Sequence, residues 1–217
     1  MRISPIIVRH LQTCIFGAVP EGLNNLMISQ LFTAAFNDMV EGMSKVVIPT
    51  EVPHLYHASA TPHEANSVYH FTKAVEQRSK HSAVYLEYQC DSGRVDAVIV
   101  TETAWLLVEA KSYLNVGKLH SLEAQATRLG DGNDSLRRYL SDRIPRFKKQ
   151  KWGLETQDQI WGVLLAETCE ERWKTFWQAL STNQEYATLK TYTHVEKRNP
   201  IFQARPWWHL LAFKQVV

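Results

Sequence analysis

The chain has 217 residues, 45% of them hydrophobic and 21% charged, with a formal net charge of +2. That length and balance suit one well-packed domain and exclude a collagen-like, low-complexity or largely disordered chain. So small a charge also excludes a protein that coats nucleic acid or anionic membrane by bulk electrostatics, so any basic surface must be local.

Cys14, Cys90 and Cys169 are odd in number and form no C-x-x-C pair. Neither a disulfide framework nor a cysteine zinc site is expected, and a cytoplasmic setting is. Arg9 and His10 cut the apolar start far short of a membrane span or signal core, so no membrane association is expected.

Residues 24–43 carry Leu26, Met27, Leu31, Ala34, Ala35 and Val40 at helical spacing, with Gly42 near the end. Pro49 and Pro53 then force extended geometry on "VVIPTEVPHLYH". A second helix is expected from Thr61, a capping residue, through Pro62 at the first helical position and Glu64 where a capping-box carboxylate reaches back. Val68, Phe71, Thr72 and Val75 form its inward stripe.

"SAVYLEYQ" is rich in strand formers and ends in the turn signal Asp91-Ser92-Gly93. "RVDAVIV" and "WLLVEAK" are the next two strands, joined by "TETA". Residues 118–129 have helical spacing, and Asp134 or Ser135 caps a short helix "LRRYLSDRI" ahead of Pro145. "DQIWGVLLAE" reads as a strand and "EERWKTFWQAL" as a helix with Trp173, Phe176, Trp177 and Leu180 inward; "WWHLLAFKQV" is the last strand. The whole predicts an α/β fold, a mixed central sheet flanked by helices, in a single domain over 1–217. Its core spans about 61–170, after a helical extension over 1–60 and before a helix and strand over 171–217.

Asp96, Glu109 and Lys111 stand out because they interrupt apolar strands. With residues 101–104 as a four-residue connection, Val100 pairs with Trp105, Val98 with Leu107 and Asp96 with Glu109. Directly opposed Cβ atoms are about 5 Å apart, and two like charges there are destabilising without a cation between them. Lys111, two residues beyond Glu109, projects from the same face. Carboxylate oxygens suit a hard ion such as Mg²⁺, and an adjacent ammonium suits a phosphate, so the trio points to phosphoryl-transfer chemistry. The plain alternative is a set of surface charges with a Glu109–Lys111 salt bridge; the apolar neighbours on both strand faces argue against it.

"RVDAVIV" and "LLVEAK", preceded by a helix and the strand "SAVYLEYQ", resemble the PD-(D/E)xK nuclease superfamily, the restriction endonuclease-like αβββαβ core. Val95 stands where the superfamily's name has proline. The resemblance implies a Mg²⁺-dependent deoxyribonuclease in which Mn²⁺ substitutes. Asp96, Glu109 and the Ala110 backbone carbonyl would ligate the metal, and Lys111 would place the nucleophile. It also implies an additional glutamate from the helix before the first strand. Glu76 is the best positional match and Glu41 the second. Glu87 is a further option whose face depends on the length of the Ser92-Gly93 turn. Glu64 is accounted for by capping. A helix-surface reading suffices for Gln125.

Arg137, Arg138, Arg143, Arg146, Lys148, Lys149 and Lys151 are opposed only by Asp142, and Trp152 adjoins them. This run, with Arg94, is the expected DNA contact, set against the alternative of a solvated helix and loop. His54 and His57 beside Pro53 lack a third ligand and are assigned no metal. The competing function is a nuclease fold without catalysis, a nucleic-acid-binding or assembly subunit. A homodimer or a partner subunit supplying specificity is compatible with either.

Overall fold

The computed structural model describes residues 21–44, 64–90, 93–113, 144–154, 159–168, 171–180, 190–196 and 207–215. Helices α1 (Glu21–Ser44) and α2 (Glu64–Arg78) precede strands β1 (Ser82–Cys90), β2 (Gly93–Thr101) and β3 (Ala104–Tyr113). A helix over 144–152, α3, is followed by β4 (Gln159–Thr168), α4 (Glu171–Leu180), β5 (Lys190–Glu196) and β6 (Trp207–Gln215). The strands form one six-stranded sheet in the order β1-β2-β3-β4-β6-β5. Only the β3–β4 pair is parallel among these strands, so the sheet is mixed, as expected. No helix among the described residues is long and apolar enough to cross a membrane.

Both faces of the sheet are covered. Ile28, Phe32, Phe36 and Met39 of α1 and Phe71 and Val75 of α2 bury Ala97, Ile99, Leu106, Val108, Val163 and Leu211 on one face. The α1 stripe recurs at spacings of three and four, as an amphipathic helix requires. Of the residues expected from spacing, Ala35 and Val40 are buried, whereas Leu26 and Met27 are exposed. The opposite face buries Val98, Val100, Trp105 and Leu107 under Ile144 of α3. Lys174 of α4 lies over the Trp208 ring, and Trp177, fully buried, donates its indole N–H to the Leu211 carbonyl (3.3 Å). Side chains of Trp173, Phe176 and Leu180 lie outside the described residues.

Two elements differ from expectation. Helix α3 contains Pro145, where a helix was expected to stop, and the residues of the expected helix before 144 lie outside the described set. Proline is tolerated in a first helical turn because its missing N–H has no intrahelical acceptor to lose. Gly153, with φ +68°, closes this helix. Strand β5 was not anticipated; it is an edge strand of alternating polar residues whose pairing with β6 puts Tyr192 opposite Leu211. The expected helix over 118–129, with Gln125, and the segment carrying His54 and His57 lie outside the described residues.

Helices α1 and α2 are joined by a bidentate Arg78–Asp38 contact (2.7 and 2.8 Å) and by a close approach at Gly42. A Cβ at Gly42 would fall 2.5 Å from His70 Nδ1. Alanine there gains helix propensity of about 1 kcal/mol, but the overlap costs about 1–3 kcal/mol. Gly42→Ala should therefore destabilise the protein in denaturant unfolding and become neutral or stabilising in a His70→Ala background. Burial, and then the Lys73 ammonium, hold the His70 pKa below 6.5. A histidine whose folded pKa is lowered contributes stability that is present above its unfolded pKa and lost as pH falls through the folded value. Between pH 7.5 and 5 the melting temperature of the wild type should fall more than that of His70→Gln.

Candidate active site

The β2–β3 hairpin is fastened at its closed end. The Thr101 hydroxyl donates to the Ala104 carbonyl (3.1 Å) and accepts the Ala104 N–H (3.2 Å), bridging the four-residue connection. The Glu102 carboxylate accepts the His81 N–H (2.8 Å), and the Thr103 carbonyl accepts the Gln159 N–H (3.2 Å). These bonds fix the register Val100–Trp105 and Val98–Leu107, as turn length and alternation predict.

The open end departs from regular pairing. The β2–β3 register extends to Ala97–Val108, and beyond it the Asp96 carboxylate accepts the Ala110 N–H (2.7 Å). On the other side of β2, pairing with β1 passes from Leu86–Ala97 to Tyr88–Val95, omitting Glu87 and Asp96. Glu87 has φ 49°, a left-handed conformation uncommon for a side chain of its kind. Val95 and Val98 share one apolar cluster, which strict strand alternation would forbid. Both strands are thus irregular at one level while keeping register, and Asp96 sits at that level.

Lys111 and Glu109 lie at the same end. Glu109 is 3% exposed, whereas Asp96 and Lys111 are half-buried. The Lys111 ammonium donates to the Ala110 carbonyl (2.8 Å) and lies 3.9 Å from Glu109 Oε2 and 3.7 Å from Glu64 Oε2. Glu64 is the first residue of α2, so the helix starts against the end of β3 that carries the charges. Its position three residues after Thr61 made capping a sufficient explanation in the sequence; the signal that could have raised it is that a first-turn acid is an acid from the helix before the first strand.

Glu76 and Glu41 lie elsewhere, whereas Glu87 does not. Glu76 is exposed, and twelve residues of helix at about 1.5 Å each put it roughly 18 Å along α2 from Glu64. Glu41, in α1, is exposed. Glu87 is exposed at the irregular level of β1, beside Asp96. The connection between β1 and β2 is the pair 91–92, since Cys90 pairs with Gly93, one residue earlier than the turn first considered.

The basic run divides. Lys148 is 1% exposed and donates to the Glu102 carbonyl (3.0 Å), so it fastens the hairpin turn and cannot serve as a surface phosphate contact. Arg146, Lys149 and Lys151 are exposed on α3, and Trp152 stacks on His81 with ring centroids 5.6 Å apart. Arg137, Arg138, Arg143 and the Arg94 side chain lie outside the described residues. A further buried polar pair, Glu167 on β4 and His209 on β6, are cross-strand neighbours with Oε2 and Nδ1 3.9 Å apart.

Two carboxylates and a backbone carbonyl are hard oxygen donors of the kind Mg²⁺ takes, so the donor set fits that ion. Among the described residues, no three Asp, Glu, His or Cys side chains come together closely enough to hold a metal. Comparison with protein-family models, with curated proteins and with solved structures finds no match.

A hydrogen bond to an ionised acceptor contributes about 1.5–3 kcal/mol. Asp96→Ala should lower stability by about that amount in denaturant unfolding, and Asp96→Asn, which keeps an acceptor oxygen, by less. Equal losses would mean that the Asp96–Ala110 bond does not hold the open end of the hairpin.

Proposed function

We propose that the chain is a metal-dependent nuclease of the PD-(D/E)xK, restriction endonuclease-like superfamily that hydrolyses phosphodiester bonds in DNA. The observation that carries the reading is the convergence of Asp96, Glu109, Lys111 and Glu64 at one end of the β2–β3 hairpin. The order of helix, three antiparallel strands and a fourth strand parallel to the third supports an αβββαβ core. Restriction or phage defence, a mobile element and repair are all compatible settings, since one site serves each.

In this reading Asp96, Glu109 and the Ala110 carbonyl hold Mg²⁺, with Mn²⁺ able to replace it. Bound there, the ion supplies Lewis-acid polarisation of the scissile phosphate. Lys111 carries three N–H donors on a flexible stem and can offset charge developing on phosphate or orient the attacking water. Glu64 holds the ammonium on the helix side. Burial of Glu109 keeps its carboxylate out of bulk water and so strengthens its electrostatic interactions. Exposed Arg146, Lys149 and Lys151 provide phosphate contacts away from the cleavage point.

A second reading is favoured by one observation: the Asp96 carboxylate and the Lys111 ammonium both bond to the Ala110 peptide groups, a use that needs no catalysis. The chain would then be a nucleic-acid-binding or assembly subunit, alone, as a homodimer or with a partner that carries specificity. The test is incubation with supercoiled, linear duplex and single-stranded DNA, and with RNA, under Mg²⁺ or Mn²⁺. The nuclease reading expects DNA cleavage that a chelator stops and that Asp96→Asn and Lys111→Ala lower by about 10²-fold or more, as loss of a transition-state contact does, with folding retained. Metal-independent binding without cleavage of any form supports the subunit reading instead.

A further inference from the structure

The Lys111 ammonium occupies the place that the proposed site gives to a cation. Its Nζ donates to the Ala110 carbonyl at 2.8 Å and lies 3.9 Å from Glu109 Oε2, so it engages two of the three donors assigned to Mg²⁺. The third, Asp96, is tied to the N–H of the same residue, Ala110. On its other side Nζ is 3.7 Å from Glu64 Oε2, a carboxylate outside that donor set. The charge count is balanced in the same sense: Glu109 is buried in an apolar sheet, and a buried carboxylate requires a nearby positive charge.

We infer that Lys111 is the resident counter-ion of the metal-free protein, and that it competes with the divalent cation for the Ala110 carbonyl and Glu109. The inference rests on the divalent-cation reading of the site. A carbonyl oxygen that accepts an ammonium N–H at hydrogen-bond distance has a positive charge where a second cation would have to approach, and the two repel. Lys111 must therefore leave the Ala110 carbonyl for a divalent ion to use it. Glu64 gives the ammonium a second anionic partner at nearly the same distance as Glu109, so that its departure from the carbonyl does not strand a half-buried charge. The device links cation loading to the freeing of the lysine that the reaction needs. It also predicts that the lysine, although it is assigned to catalysis, weakens metal binding.

The test is a Mn²⁺ titration without nucleic acid, followed by isothermal calorimetry or the electron-spin signal of free Mn²⁺. It compares the wild type with Lys111→Met, Glu64→Gln, Glu109→Gln and Lys190→Met, the last removing one exposed positive charge on the far edge strand. Competition expects Lys111→Met to bind Mn²⁺ roughly tenfold more tightly or better, a coupling of ordinary size between two sites, and Lys190→Met to bind as the wild type does. Glu64→Gln should bind a few-fold more weakly, because the ammonium loses its alternative partner. In the absence of metal, Lys111→Met should melt below the wild type, and saturating Mn²⁺ should close that gap.

Equal or weaker Mn²⁺ binding by Lys111→Met overturns the competition. The cation reading still stands in that case if the wild type binds Mn²⁺ and Glu109→Gln does not. A gain in Lys190→Met as large as in Lys111→Met also overturns it, since the effect would then be one of net charge. If neither the wild type nor Lys111→Met binds Mn²⁺ at millimolar concentration, both the competition and the cation reading fall.

Discussion

The bond from the Ala110 N–H to the Asp96 carboxylate governs the open end of the β2–β3 hairpin. In a regular antiparallel pair that N–H would belong to the backbone ladder, and the side chains flanking it would be held at fixed cross-strand spacing. A side chain accepts the hydrogen bond here instead, at the level where Glu87 leaves β1 irregular. The hairpin is free to diverge at that level, and β3 does not fray because its other edge pairs with β4 from Ala104 to Tyr113. One strand is thereby released on one side and fixed on the other. The released side presents Glu109, the Ala110 carbonyl and Lys111.

The two lysines near this hairpin illustrate how burial decides a charged residue's role. Lys148 is enclosed at the closed end and gives its ammonium to the Glu102 carbonyl, while the Glu102 side chain takes the His81 N–H. Backbone, hydroxyl and ammonium contacts together over-determine the turn. Lys111 is half-buried at the open end, among two carboxylates and a carbonyl, with access to solvent. A charge enclosed against a turn carbonyl stabilises the turn; a charge shared among several anionic partners near solvent can be reapportioned when another charge arrives. Left-handed backbone at Glu87 belongs to the same end, and strain of about 1–3 kcal/mol of this kind collects where geometry matters more than stability.

Much of this was legible in the chain. The length of the Thr101–Ala104 connection and strict alternation sufficed for the register as far as Ala97–Val108, because a one-residue slip would have sent Val98 and Leu107 to the wrong face; the expected Asp96–Glu109 pair is not among the paired residues, since Asp96 takes the Ala110 N–H instead. The inward stripe of α2 followed from periodicity alone. Glu64 did not, because its capping position explained it locally and where a helix end lies relative to a sheet is not written in a periodic pattern. The burial of Lys148 is hidden in the sequence for a related reason. A charge run is one-dimensional, while Ile144, Lys148 and Trp152 recur every four residues and so share the inward face of α3. Strand β5 escaped because an edge strand can be polar throughout, with Tyr192 and Val195 its only large apolar or aromatic side chains.

The fold also separates Asp96 and Glu109 from the exposed lysines near the turn. From Asp96 to Thr101, at about 3.3 Å per residue, β2 spans roughly 16 Å, with the carboxylates at one end and the Lys148-fastened turn at the other. Lys151 adjoins Trp152, which stacks on His81, and His81 adjoins the exposed Lys80, so two lysines from separate elements are held near that turn. If the substrate is duplex DNA, as proposed, its advance of about 3.4 Å per base pair along the axis would make the separation roughly five base pairs. A cation site needs negative side chains close to a phosphate, and those side chains repel every other phosphate of the strand. In the proposed nuclease reading, positive charge several nucleotides away would resolve that conflict: the strand would be attracted at one end of the hairpin and a single phosphate brought to the acids at the other. In that reading a mononucleotide could not use both ends at once, so the proposal is of a polymeric substrate.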